Sequence, residues 1–238
     1  MNAGGFAVLC AVVVFGALLQ VAIGFGLGLL AAPVIALIAP GLVPAVIVVL
    51  ATGVTAVVLL LDRGHIDLRG TGWALAGRVP GVVAGALLVA ALPTRVLALC
   101  VAGMVVLGVV VSLWGYRPRP TRRAVVLAGM ASGVMGTATA IGGPPMSMVW
   151  QRYAGPRLRS TMSGFFLVGS VMSLAALAVT GSVTGESLGY ALLLAPAAAL
   201  GVALARPLGR RLDVRRTRVV AMLLAVAGAA TLTVQQFV

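Results

Sequence analysis

The sequence predicts an all-α polytopic membrane protein of two inverted-topology repeats, each a broken-helix hairpin plus three transmembrane helices. Three observations carry this. The chain is overwhelmingly apolar, its halves resemble each other in order, and its arginines sort to one side only if one apolar segment of the second half doubles back.

Mean hydropathy is +1.17, with 61% of the 238 residues hydrophobic and 9% charged. A soluble fold of this length could not hide so much apolar surface. Apolar segments fall at 5–38, 42–61, 72–92, 95–114, 124–151, 160–180, 187–205 and 219–237. About 20 such residues cross the ~30 Å hydrocarbon core. The opening MNAGGFAVLC lacks the basic region of a signal peptide and reads as part of the mature first segment.

The net charge of +13 comes from 17 basic residues, all arginine, against four acids. These arginines lie in short connections between apolar spans, a topological signal that points to a lipid bilayer and away from nucleic acid. Cys10 and Cys100, both in apolar segments, make neither a metal site nor a disulfide framework.

The basic loop 115–123 divides the segments four and four. This gives a first membrane repeat over 1–116, a cytoplasmic linker over 117–123 and a second repeat over 124–238. A shift of 112 places Gly24 on Gly136, Pro33 on Pro145 and Pro44 on Pro156. Further on, GWALAG from Gly72 matches GYALLL from Gly189, and the stretch from Leu92 matches that from Leu212. Such order argues for internal duplication.

With eight simple spans, ten arginines fall on one side and seven on the other. If 124–151 enters and returns to the same side, sixteen share a face and Arg95 alone lies opposite. The positive-inside rule selects the second arrangement. The break is then GTATAIGGPPMSM, with Gly136, Thr137, Thr139, Gly142, Gly143, Pro144 and Pro145 at a hairpin tip. Segment 5–38 would be a straight helix of ~51 Å, too long for one crossing. Its own break is GFGLGLLAAP, holding Gly24, Gly26, Gly28 and Pro33. Each half then crosses an odd number of times. The halves are inverted, both termini lie outside, and broken helices in inverted repeats mark a transporter.

Backbone opened at membrane depth must be buried in protein or line a wet cavity. Proline suits a first helical turn, so the second arms are expected to begin near Pro144 and Pro33. Their free amides, from about Met146 in the second, would offer positive helix ends to an anion. Thr137 and Thr139 add hydroxyls, and the three glycines of the first break leave bare backbone. Tight helix packing is the competing explanation for the glycines. Thr52, Thr55, Ser163, Ser170 and Ser173 either face the cavity or bond to their own helices.

Arg78 lies about two turns inside its span and either snorkels or draws an anion inward. Gln20, four residues before the first break, is a cavity residue or an interhelical tie. His65, with Asp62 and Asp67, reads as a solvated loop, and Glu186 as an outer-loop residue. No acid lies well inside a span. The chain offers no paired acids or His/Cys cluster for an enzyme, a metal or another cofactor.

GFGLGLLAAPVIAL and GVMGTATAIGGPPMSM resemble the paired glycine-rich motifs of the TauE/SafE family, the sulfite exporter family. The resemblance spans nearly the whole chain, although Leu27 interrupts the triple-glycine form of the first motif. It implies a multi-pass transporter of the cytoplasmic membrane, linked in several members to movement of sulfite and organosulfonates. The expected function is secondary transport, in the export direction, of a small oxyanion or carboxylate. Alternatives are a passive anion channel and a non-transporting assembly protein. A proton or sodium coupling ion and a homo-oligomer stay open.

Overall fold

In the computed structural model, the described residues are 3–61, 66–113, 119–153, 155–209 and 214–237. They form ten α-helices and no strand. The first half holds α1 (Ala3–Ile23), α2 (Leu27–Ile38), a 3-10 turn at Pro40–Leu42, α3 (Ala45–Leu61), α4 (Leu68–Ala91) and α5 (Thr94–Leu113). The second half holds α6 (Arg122–Thr139), α7 (Gly143–Val149), α8 (Gly155–Val179), α9 (Gly185–Gly209) and α10 (Val214–Gln235). Among the described residues, five helices are long and apolar enough to cross a membrane. Large apolar side chains such as Phe15, Leu87, Leu192 and Leu223 point outward, as a lipid-facing surface requires. The chain is an all-helical polytopic membrane protein.

Both long segments break and double back. After α1, Gly26 comes against Leu19 and Leu27 against Gly16. After α6, Gly142 lies against Gly136, and its carbonyl accepts a 2.6 Å bond from Ser132 Oγ. One predicted detail needs correction. Pro33 does not begin the second arm: α2 starts at Leu27, and Pro33 sits inside it, packed against Gly228 of α10. Gly26 and Gly142, which precede the two second arms, lie 116 positions apart, whereas the sequence comparison of the halves used a shift of 112. In a chain with 31 glycines, several offsets pair glycine with glycine.

Helix packing exchanges between the halves. α4 packs closely on α6, as α1 does on α9; α2 meets α10, as α7 meets α5; α3 meets α9, as α4 meets α8. The closest of these contacts, α4 on α6, is glycine-lined. Side chains at Gly77 and Gly81 would strike the Val126 and Met130 carbonyls, and one at Gly129 the Ala74 carbonyl. Without a hydrophobic drive between helices in lipid, such backbone approach supplies the association.

Several arginines predicted in loops belong to helix ends instead. Arg157 and Arg159 open α8, and Arg215, Arg216 and Arg218 open α10. Asp62 and His65 lie outside the described residues, as do 114–118 of the central loop. Asp67 is not a solvated loop acid. It caps α4, accepting from the Gly70 amide at 3.0 Å and from the Tyr153 hydroxyl at 2.6 Å.

Candidate functional site

The two breaks meet. A Cβ at Gly28 would run into the Ala140 carbonyl, and one at Gly143 would reach the Phe25 ring. These glycines let one hairpin tip seat against the other. Beside the junction lies a small cavity of about 50 Å3. A water needs ~10–15 Å3 measured this way, so the space suits a few waters or one small oxyanion.

Each break has its own backbone chemistry. α1 ends at Gly24, whose N–H donates to the Gln20 carbonyl at 2.9 Å with φ 87°. Gly26, with φ 145°, then precedes α2. Both conformations favour glycine. α6 ends with Ala140 in the left-handed region (φ 61°), and the Ile141 N–H reaches back to the Met135 carbonyl at 3.4 Å. This is a Schellman-type turn with alanine where glycine is usual. α7 begins at Gly143, and the next two residues are prolines without N–H groups. Two of its first three positions therefore carry no donor, and the amides expected to face an anion are those from about Met146 onward. At seven residues, α7 is also too short to make a strong positive end.

The charge at the cavity comes from Arg78, which is 3% exposed. Snorkelling is thereby ruled out. Its guanidinium donates to Ser132 Oγ at 3.1 Å and Ser173 Oγ at 3.4 Å, and lies 4.9 Å from the Phe165 ring centre and 5.8 Å from that of Phe166. Gly136 and Gly169 make room for it, since a side chain at Gly169 would strike the guanidinium. Arg78 Nε is buried and has no hydrogen-bond partner among the described residues. Among the described residues, no acid lines the cavity. A buried cation held only by hydroxyls and ring faces is costly to keep, and a bound anion offsets that cost.

Gln20 also lines the cavity and is 5% exposed. Its Oε1 accepts from the Leu27 N–H at 3.3 Å, capping α2. The oxygen is therefore engaged, and the donor-only NH2 end is what remains for a ligand. Gln20 is both a tie and a cavity residue.

Of the sequence-predicted residues, Gln20, Gly26, Gly28, Arg78, Gly136, Gly142, Gly143 and Pro144 line the cavity. Gly24, Pro33, Thr137, Thr139 and Pro145 do not. Thr139 Oγ1 donates to its own helix at Met135, 2.7 Å away. Thr137 pairs with Ser173 at 2.8 Å, supporting the serine that holds Arg78. Ser170 and Ser173 line the cavity, whereas Thr52 and Thr55 bond to carbonyls of α3, Thr52 also reaching Ser170. Sequence reasoning missed Ser132, Gly169, Phe25 and Phe166. The hydroxyl of Ser132 between small residues in an otherwise apolar arm was the signal available for it.

One further polar cluster lies where the α3–α4 connection meets the α7–α8 connection. The Asp67 amide donates to Thr161 Oγ1 at 3.1 Å, and Arg157 stands 4.4 Å over the Tyr153 ring. Burial pushes the Asp67 carboxyl up, but the Tyr153 hydroxyl, the Gly70 amide and the Arg157 charge outweigh it and hold it below its ordinary 3.8. Burial, and then the bond to Asp67, raise the Tyr153 phenol. Deprotonated Asp67 thus stabilises the fold above its ordinary value, and that contribution fades as pH falls through the lowered one.

A family model described as Sulfite exporter TauE/SafE matches residues 9–232. No curated protein and no solved structure matches the chain.

Proposed function

From the premise that the chain belongs to the TauE/SafE sulfite exporter family, we propose that it is a secondary transporter of a small oxyanion. Sulfite or the head of an organosulfonate fits best, held between Arg78 and Gln20 where the two hairpin tips meet. The observation that carries this is Arg78: a buried arginine with a free Nε, in a cavity whose lining holds no acid. The ligand it suits is compact and rich in acceptors. Each hydrogen bond to a charged group contributes roughly 1.5–3 kcal/mol.

The proposed orientation follows the arginines. The α3–α4, α5–α6, α7–α8 and α9–α10 connections face the cytoplasm, both termini face outside, and the repeats 1–116 and 124–238 are inverted about the cavity. The exchanged packing of the halves supports this. The proposed direction is export. The test is flux of radiolabelled sulfite in proteoliposomes of the purified protein, with and without proton and sodium gradients. Gradient-driven accumulation identifies a carrier, and dissipation alone identifies a channel. Absence of sulfite and sulfonate movement under every condition would remove the transport reading.

A further inference from the structure

Among the described residues, three buried side-chain atoms have no hydrogen-bond partner: Arg78 Nε, Trp150 Nε1 and Thr71 Oγ1. They are not scattered. Thr71 and Arg78 are seven residues apart on α4, hence on one face and about 10 Å apart along it. Between them Ala74 is fully buried in the same cluster as Trp150 and Phe165. Phe165 lies under the Arg78 guanidinium and meets Trp150 edge to face at 5.7 Å. Trp150 leads to Tyr153, whose N–H donates to the Trp150 carbonyl at 2.9 Å. The Tyr153 hydroxyl holds Asp67, and the Asp67 carbonyl accepts from the Thr71 amide at 2.9 Å. The three residues that carry these atoms thus belong to one closed circuit of contacts between the cavity and the face carrying the Asp67–Tyr153 pair.

All three can donate, and the indole can only donate. A donor buried without a partner is costly, so three on one path need a reason beyond packing. Trp150 is 1% exposed and Thr71 7%, so bulk solvent does not serve them.

We propose that this circuit is the anion's route between the cavity and that face, with Trp150 Nε1 and Thr71 Oγ1 as successive donors below Arg78 and the Asp67–Tyr153 bond as its outer closure. This rests on the cavity being the anion site. The ligand passes from the guanidinium to the indole N–H and then to the hydroxyl, meeting a fresh donor at each step. The Asp67–Tyr153 bond must part for it to leave.

The probe is radiolabelled sulfite, with equilibrium binding to purified protein measured beside flux in proteoliposomes. Trp150→Phe keeps a ring against Phe165 and removes the N–H; Thr71→Val keeps the shape and removes the hydroxyl. Each should bind sulfite within about twofold of the parent, while flux falls by about tenfold, the weight of one hydrogen bond to a charged group. Parental flux in both variants overturns the route, as does loss of binding together with flux. A second measurement does not depend on those folds. In protein lacking Cys10 and Cys100, Thr71→Cys should react with a small sulfonate-bearing thiol reagent, and sulfite should slow the reaction. A cysteine there that never reacts, or that reacts equally with and without sulfite, overturns the proposal. A parent that neither binds nor moves sulfite is a different failure, that of the cavity assignment itself.

Discussion

The first break and the second perform the same manoeuvre with opposite chemistry. Both end an α-helix, turn through a left-handed residue and send a short arm back. At the first, glycines supply the turn, and the Gln20 side chain occupies the first amide of α2. At the second, alanine is held left-handed, two prolines delete amides, and no side chain caps α7. The surroundings differ as well. The two arms of the first hairpin lie in an aliphatic core, with only Phe25 of its break reaching the aromatic cluster, whereas the second adjoins Trp150, Phe165 and the charge of Arg78. Aligning α4 and α9 on their interior prolines, Pro80 and Pro196, sets Arg78 opposite Leu194, which is buried in that aliphatic core. The two halves share the turn but carry the charge on one side only. The site is symmetric in backbone and asymmetric in electrostatics.

The largest effect should come from removing that asymmetry. Arg78→Gln should lower sulfite flux by more than about a hundredfold, since it deletes the charge and its charge-assisted hydrogen bonds in a low-dielectric site. Insertion and size-exclusion profile should stay normal, because a neutral side chain is easier to bury. Parental flux would make the two breaks equivalent after all.

Next in size is Gln20→Glu. A carboxylate still accepts from Leu27, so the first hairpin keeps its cap, but the cavity loses two donors and gains a negative charge. Flux should fall by about tenfold or more at neutral pH, with the thermal transition within a few degrees of the parent. A fall in stability with unchanged flux would assign Gln20 to structure alone.

A stability effect tests the second turn. Ala140→Gly relieves a left-handed alanine, a strain of roughly 1–2 kcal/mol, partly offset by the freedom glycine adds to the unfolded chain. Thermal unfolding should shift upward slightly. A downward shift would mean that the alanine methyl group matters more than its backbone.

The smallest effect concerns Thr139. Its hydroxyl is already bonded within α6, so Thr139→Val should leave sulfite affinity within about twofold. A tenfold loss would return Thr139 to the site.

Much of this architecture was legible beforehand. Arginine distribution and hydropathy disclosed the helical membrane fold and both doubled-back segments, because lipid leaves a chain few alternatives. Proline was misleading in the first half. It marks a helix start only in the first turn, and Pro33 lies seven residues into α2. The helix-end argument placed the charge in backbone amides from about Met146 onward, in an arm that is only seven residues long. The actual charge, Arg78, was visible as a residue, but its setting was not. Its burial depends on Gly136 and Gly169, which are far apart in sequence and can be matched to it only once α4, α6 and α8 are packed.

The most direct test of the asymmetric site is the position of a bound anion. Selenite, the selenium counterpart of sulfite, can be located by its anomalous scattering in crystals of the parent protein. The account predicts one peak in the cavity between the tips, within hydrogen-bond distance of Arg78 Nε and facing Gln20. A peak at the α7 amides away from Arg78, or binding that leaves this cavity empty, would contradict it.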